Sequence, residues 1–231
     1  MKKLLLTLLF TILIFSNGYA ASGKGEATEY TVTMKKVELC EDSACTASYT
    51  VGEKDMAANI AAATAGADVG NYAPTTGLPI GTTYTHLRVT LSRTFTITGS
   101  VVLTGDDCFT DGGSDATKTQ MLVGTTTADD VESSTMLLVT AGGYGASNGT
   151  RTGALDSGNF NMDYESPIYA TTMTISGDNA LMIYKLTSSY TVGVKSPTIK
   201  IAFNTEEAIG ADNTACAMWI EEPTVTITLT D

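Results

Sequence analysis

The chain of 231 residues has one histidine, one tryptophan and only 13 basic residues against 25 acidic ones. Each shortage excludes something. With His86 as the sole histidine, and four cysteines whose spacing follows no zinc pattern, a zinc centre lacks a ligand set. A formal net charge of −12 repels phosphate backbones and anionic lipid, so nucleic acid is not an expected partner, whereas cations and basic surfaces stay open. Beyond the first residues no apolar run approaches the roughly 20 residues of a spanning helix, and the mature chain is not expected to insert into a membrane. A transmembrane β-barrel would also be threonine-rich and alternating, but the runs here are short and uneven and lack aromatic girdles.

What is present begins with an export signal. Lys2 and Lys3 precede an apolar stretch from Leu4 to Phe15, followed by a mostly small and polar run from Ser16 to Ala20. That plan predicts a signal peptide over residues 1–20, cleaved between Ala20 and Ala21, and a protein that is secreted, periplasmic or at the cell surface. Cys40, Cys45, Cys108 and Cys216 are an even number in an oxidising compartment and read as disulfides. Three pairings are open; the reading favours a local Cys40–Cys45 bridge across an acidic turn, which leaves Cys108 with Cys216.

Period-two alternation dominates residues 21–231. Tyr30, Val32 and Met34 alternate with threonines, and Lys35-Lys36 shifts the phase before Val37 and Leu39, as a β-bulge does. Leu87, Val89, Leu91, Phe95 and Ile97 share one face, interrupted by Arg93, which marks a bend, a bulge or an edge. Further runs are expected near 101–103, 121–123, 136–140, 169–175, 181–186, 190–194, 199–203, 215–220 and 225–229. The expected fold is an all-β antiparallel sandwich, Greek-key or jelly-roll-like, in a single domain with an N-terminal strand extension. Glycine-rich punctuation near 141–160 is where a subdivision would fall. One short alanine-rich helix is expected from Asp55 to Ala65, with Asp55 as its N-cap and Gly66 as its stop.

No catalytic motif survives inspection, and an enzyme is not expected. Ser147 matches the G-x-S-x-G pattern within Gly145–Gly149, but lies in a glycine-rich loop with no helix pattern after it and His86 before it. Alternation puts His86 on the Arg88 and Thr90 face, as a solvated side chain. Glu206-Glu207 and Glu221-Glu222 are adjacent pairs whose members point to opposite faces of a strand, unlike the opposed carboxyls of a glycosidase. Asp106, Asp107, Asp111 and Asp115 crowd a loop with Gly112 and Gly113, read either as a structural calcium site or as a solvated acidic loop; no other cofactor is implied. Asn148-Gly149-Thr150 is a glycosylation sequon.

Both ends carry alternating strands, Glu29 to Leu39 and Val225 to Leu229. In plan, the signal peptide, β content and terminal strands resemble those of exported fibre subunits, chaperone–usher pilins among them, in which a terminal strand of one subunit completes the sheet of the next. The resemblance implies a structural, adhesive filament subunit that self-assembles by strand addition. Tyr30, Val32, Met34, Val37 and Leu39 are the expected assembly strand. The alternative is a secreted or periplasmic module whose loops bind a sugar or a protein.

Overall fold

A computed structural model describes residues 22–62, 75, 77–113, 121–138, 149–152, 170–212 and 216–230. The described chain is all-β, with antiparallel sheets, one of which curls into a half-barrel. In order the strands are β1 (Ser22–Gly25), β2 (Ala27–Cys40), β3 (Ser48–Asn59), β4 (Thr83–Ser92), β5 (Thr94–Val101), β6 (Cys108–Phe109), β7 (Met121–Val123) and β8 (Ser134–Leu137). They continue with β9 (Gly149–Thr152), β10 (Ala170–Ser176), β11 (Asn179–Thr191), β12 (Thr198–Asn204), β13 (Ile209–Asp212), β14 (Ala217–Ile220) and β15 (Thr224–Thr230).

The largest sheet is built on β2. One edge of β2 pairs with β3; the other pairs first with β5, through Tyr30–Ile97, and then with β4, through Leu39–Leu87. The phase shift expected at Lys35-Lys36 is present as a register shift between Met34 and Lys36 against both neighbours. From β4 the sheet continues through β11 and β10 to β9, and β5 carries β6 and β8. Directly opposed residues share a face, so Tyr49, Leu39, Leu87 and Tyr184 form one apolar row across β3, β2, β4 and β11. The ribbon of β12 and β15 packs on that face: Val225 and Ile227 are buried in the same core, with Ile201 and Phe203 against it. β1, β13, β14 and β7 form a separate four-stranded sheet beside the end of β5.

The expected helix from Asp55 is absent. Its first residues belong to β3, where Met56 opposes Met34 and Ala58 opposes Val32; Ala63 to Ala65 lie outside the described residues. The alanines favour a helix by only tenths of a kcal/mol per residue. Pairing with β2 satisfies the backbone and sets alternate side chains on the core, which outweighs that preference. Asn59 ends the strand, its Oδ1 accepting from the N–H groups of Tyr30 (3.0 Å), Ala61 (3.1 Å) and Ala62 (3.3 Å).

Arg93 separates β4 from β5 and is 3% exposed. Its backbone N–H donates to Asp178 O and its C=O accepts from Leu138 N, so it joins the turn between β10 and β11 to the end of β8. The side chain repeats the connection, with Nε donating to Leu138 O and Nη1 to Gly177 O, each at 3.1 Å. Replacing Arg93 by Ala removes the Nε donor from the carbonyl of buried Leu138 and opens a void, an expected loss of about 3 kcal/mol in urea unfolding. Arg93→Lys recovers only part of it, because one ammonium does not reproduce the guanidinium fork.

A buried carboxylate pair at the sheet junction

Both disulfides occur in the structure, Cys40–Cys45 with Cα atoms 4.9 Å apart and Cys108–Cys216 at 5.4 Å. The first closes a turn organised by Asp42, whose carboxylate accepts from the N–H groups of Ala44, Thr46 and Ala47 and from the Thr46 hydroxyl. The Thr46 hydroxyl is the largest cause that holds Asp42 down at about 2. This turn covers the outer face of the large sheet. Beneath it, Arg88 grips Glu38 with Nε at 2.7 Å and Nη2 at 2.9 Å and gives Nη1 to Cys45 O. Burial raises the Glu38 carboxyl, but the hydrogen bonds from Arg88 and Lys36 outweigh it and leave the pKa lowered.

His86 departs from its expected solvated position. It lies between Cys40 and Lys185 in the ladder and is only 9% exposed, with Nδ1 2.7 Å from the Thr85 hydroxyl. Burial first, and then the Lys185 charge, lower its pKa. Alternation alone placed it on the outer face, but not under the disulfide turn.

The acidic loop is only partly described: Asp115 lies outside the described residues, as does Asn148. Asp107 accepts from Leu103 N and Asp111 from Gly113 N, so each closes a local turn. Among the described residues no group of three or more acidic, histidine or cysteine side chains converges as a metal site. Asp106 and Asp111 border an open depression of about 520 Å³ with Thr125, Thr126 and the Cys108–Cys216 bridge.

Tyr30, Val32, Met34, Val37 and Leu39 are all buried on the inner face of β2. Their strand is interior and hydrogen-bonded to its own chain on both edges, which is not the position of a loosely held terminal strand.

Sequence reasoning missed the convergence around Glu221 and Glu222. These residues follow β14 and are 2% and 5% exposed. As expected of neighbours in extended chain, they serve different environments. Glu222 faces the main core, where Oε1 accepts from Ala170 N at 2.8 Å. The Tyr184 hydroxyl is its polar neighbour but turns to the Met182 sulfur at 3.5 Å, and Oε2 is left without a hydrogen-bond partner. An apolar cavity of about 40 Å³ adjoins it, lined by Tyr30, Leu87, Phe95, Tyr184 and Ile227 among others. Burial pushes the Glu222 pKa to about 8, so at neutral pH this carboxyl is mostly the protonated acid.

Glu221 faces the four-stranded sheet. The Trp219 indole N–H donates to its Oε1 at 2.8 Å, and Lys24 Nζ lies 3.3 Å from Oε2. The ladder explains how these groups meet: Lys24 on β1, Gly210 on β13 and Trp219 on β14 are consecutive partners in one row. A Cβ at Gly210 would overlap the indole, so only glycine lets Trp219 lie across β13. Burial is the largest influence on Glu221 and raises its pKa against the opposing contributions of Trp219 and Lys24. Strand alternation gives each residue's face but not this three-strand row, because β1 and β13 are too short to show a period.

No family model, curated protein or solved structure matches the chain.

Glu222 gives stability a signed pH dependence. Its folded pKa lies above the ordinary 4.5, so the folded state holds the proton more tightly, and stability declines as pH rises from 4.5 towards 8. Glu222→Gln keeps the Ala170 bond without the ionisation. Melting temperatures of the two proteins should be similar near pH 5, with the variant higher by several degrees near pH 9. A constant offset at all pH values would show that Glu222 does not ionise in this window.

Proposed function

We propose that the chain is an exported, cell-surface structural protein, a filament subunit that joins its neighbours by β-strand addition and has an adhesive role. In this reading residues 1–20 are removed on export, the ribbon of β12 and β15 is the second layer of a β-sandwich, and the remainder is one domain. Two disulfides, and the absence among the described residues of a helix able to cross a membrane, are compatible with an extracellular protein.

The observation that carries the reading is β1. Its sequence, Ser22-Gly23-Lys24-Gly25, has no apolar side chain and pairs only with β13 among the described residues. It lies against the end of β5 so closely that a Cβ at Gly25 would overlap the Ser100 carbonyl. Ala27, by contrast, is fully buried and bonded to Thr205 O, so the firm fold starts there and exposed Glu26 is the pivot. Shape and the Lys24–Glu221 pair make the slot along β13 specific for this segment, while the absence of apolar burial keeps the segment exchangeable. The same segment of a second copy fits the slot by the same contacts. The exchanging strand is therefore β1 rather than β2.

The open depression near Asp106, Asp111 and Thr125 supports a second reading, a binding module for a sugar or protein with no assembly. Deleting residues 22–25 from the mature protein separates the two. Sedimentation and negative-stain microscopy should show oligomers or filaments for the intact protein and monomers for the truncated one. An intact protein that stays monomeric at high concentration overturns the filament reading.

A further inference from the structure

Glu221 is a carboxyl with a side-chain exposure of 3%, held between an amine and an N–H donor, whereas the Lys24 side chain is 31% exposed. The two contacts fall on different oxygens: Trp219 Nε1–H on Oε1 and Lys24 Nζ on Oε2. Glu207 adds negative potential nearby, and no second cation is paired with Glu221 among the described residues. An ion pair in this position bears the cost of desolvating a carboxylate, and a neutral product would not. A nucleophile, an acyl carbon and a donor aimed at the acyl oxygen are the parts that amide formation requires.

We propose that Lys24 and Glu221 condense to an isopeptide bond between Lys24 Nζ and Glu221 Cδ, a covalent latch between β1 and the segment after β14. In the first step a proton passes from the ammonium to Oε2 within the existing contact, leaving a neutral amine beside a neutral acid. The amine lone pair then attacks Cδ. Negative charge develops on Oε1, where the indole N–H already donates. Oε2 accepts a second proton from the attacking nitrogen and leaves as water through the exposed Lys24 side. One C–N bond forms and one C–O bond breaks. No redox partner is needed.

The fold supplies the positioning. Lys24 sits between Gly23 and Gly25 on a strand in register with β13, and the missing side chain at Gly210 clears the path between strands. The latch also answers a structural question, because β1 contributes no apolar burial of its own. It applies equally to a strand from the same chain or from a second copy, so it stands without the filament reading.

Mass spectrometry of the folded, oxidised mature protein tests this directly. The expected result is a mass lower by one water, with a branched peptide joining the segments that contain Lys24 and Glu221. A one-chain mass places the latch within a subunit; a ladder of multiples that survives denaturing gels places it between subunits. Lys24→Arg keeps a cation at the site and is expected to have its full mass. Trp219→Phe is expected to slow formation by about a hundredfold after refolding, through loss of the donor to Oε1. A wild-type protein that keeps its full mass after long incubation, with free Lys24 and Glu221 in the digest, overturns the proposal. Filaments without mass loss leave the assembly reading intact, and mass loss in a strict monomer leaves the latch intact.

Discussion

The structure depends on the pairing of one long strand along both edges. β2 meets β3 on one side and, on the other, a nearly continuous run of chain from Thr83 to Val101 that is broken only at Arg93. On either side of the shift at Met34–Lys36, alternate residues of β2 face the core, and Glu38, between Val37 and Leu39, points to the opposite face, where Arg88 joins it to the disulfide turn. Leu39 and Glu38, neighbours in sequence, thus enter an apolar row and a bidentate ion pair. A slip by one residue would exchange the two environments, so the register is strongly specified.

Arg93 shows how the sheet tolerates its own break. The chain leaves β4 and enters β5 with one residue between them, and this residue joins two other elements through both its backbone and its guanidinium. Of the two carbonyls held by the guanidinium, that of Leu138 lies at a buried residue and would otherwise lose this donor. The second sheet is held differently. It contributes few large side chains through β1, and its cohesion near Glu221 rests on close backbone approach, an indole bond and a lysine contact. Its N-terminal strand, β1, has no apolar side chain and adds no apolar anchorage of its own.

Much of the strand content was legible because alternation is a direct image of a half-buried sheet. The runs of β4, β5, β12 and β15 are readable from valine, isoleucine, leucine and phenylalanine at every second position, that of β10 from Met173 and Ile175, and the bulge near Lys36 from a phase change. β11 was read as two runs because Thr187, Ser188 and Ser189 interrupt the apolar pattern where the ladder itself shifts register. The end of β3, from Asp55 to Asn59, carries the pattern of a helix start because alanine favours the helix locally, and only pairing with β2 makes the extended form worthwhile. The Glu221 and Glu222 environments were not legible. Their partners come from residues as remote as Lys24, Ala170 and Tyr184, and no local pattern encodes which strands lie side by side.

The sequence by itself determined a β-rich, acidic chain with an even set of cysteines. These are properties of composition and local period, which need no knowledge of neighbours. Only the tertiary structure decided that His86 lies beneath the disulfide turn, that β2 is interior while β1 is at an edge, and that two adjacent glutamates are buried in separate settings. Burial, pairing and proton affinity depend on long-range contacts, and those exist only once distant strands share a sheet.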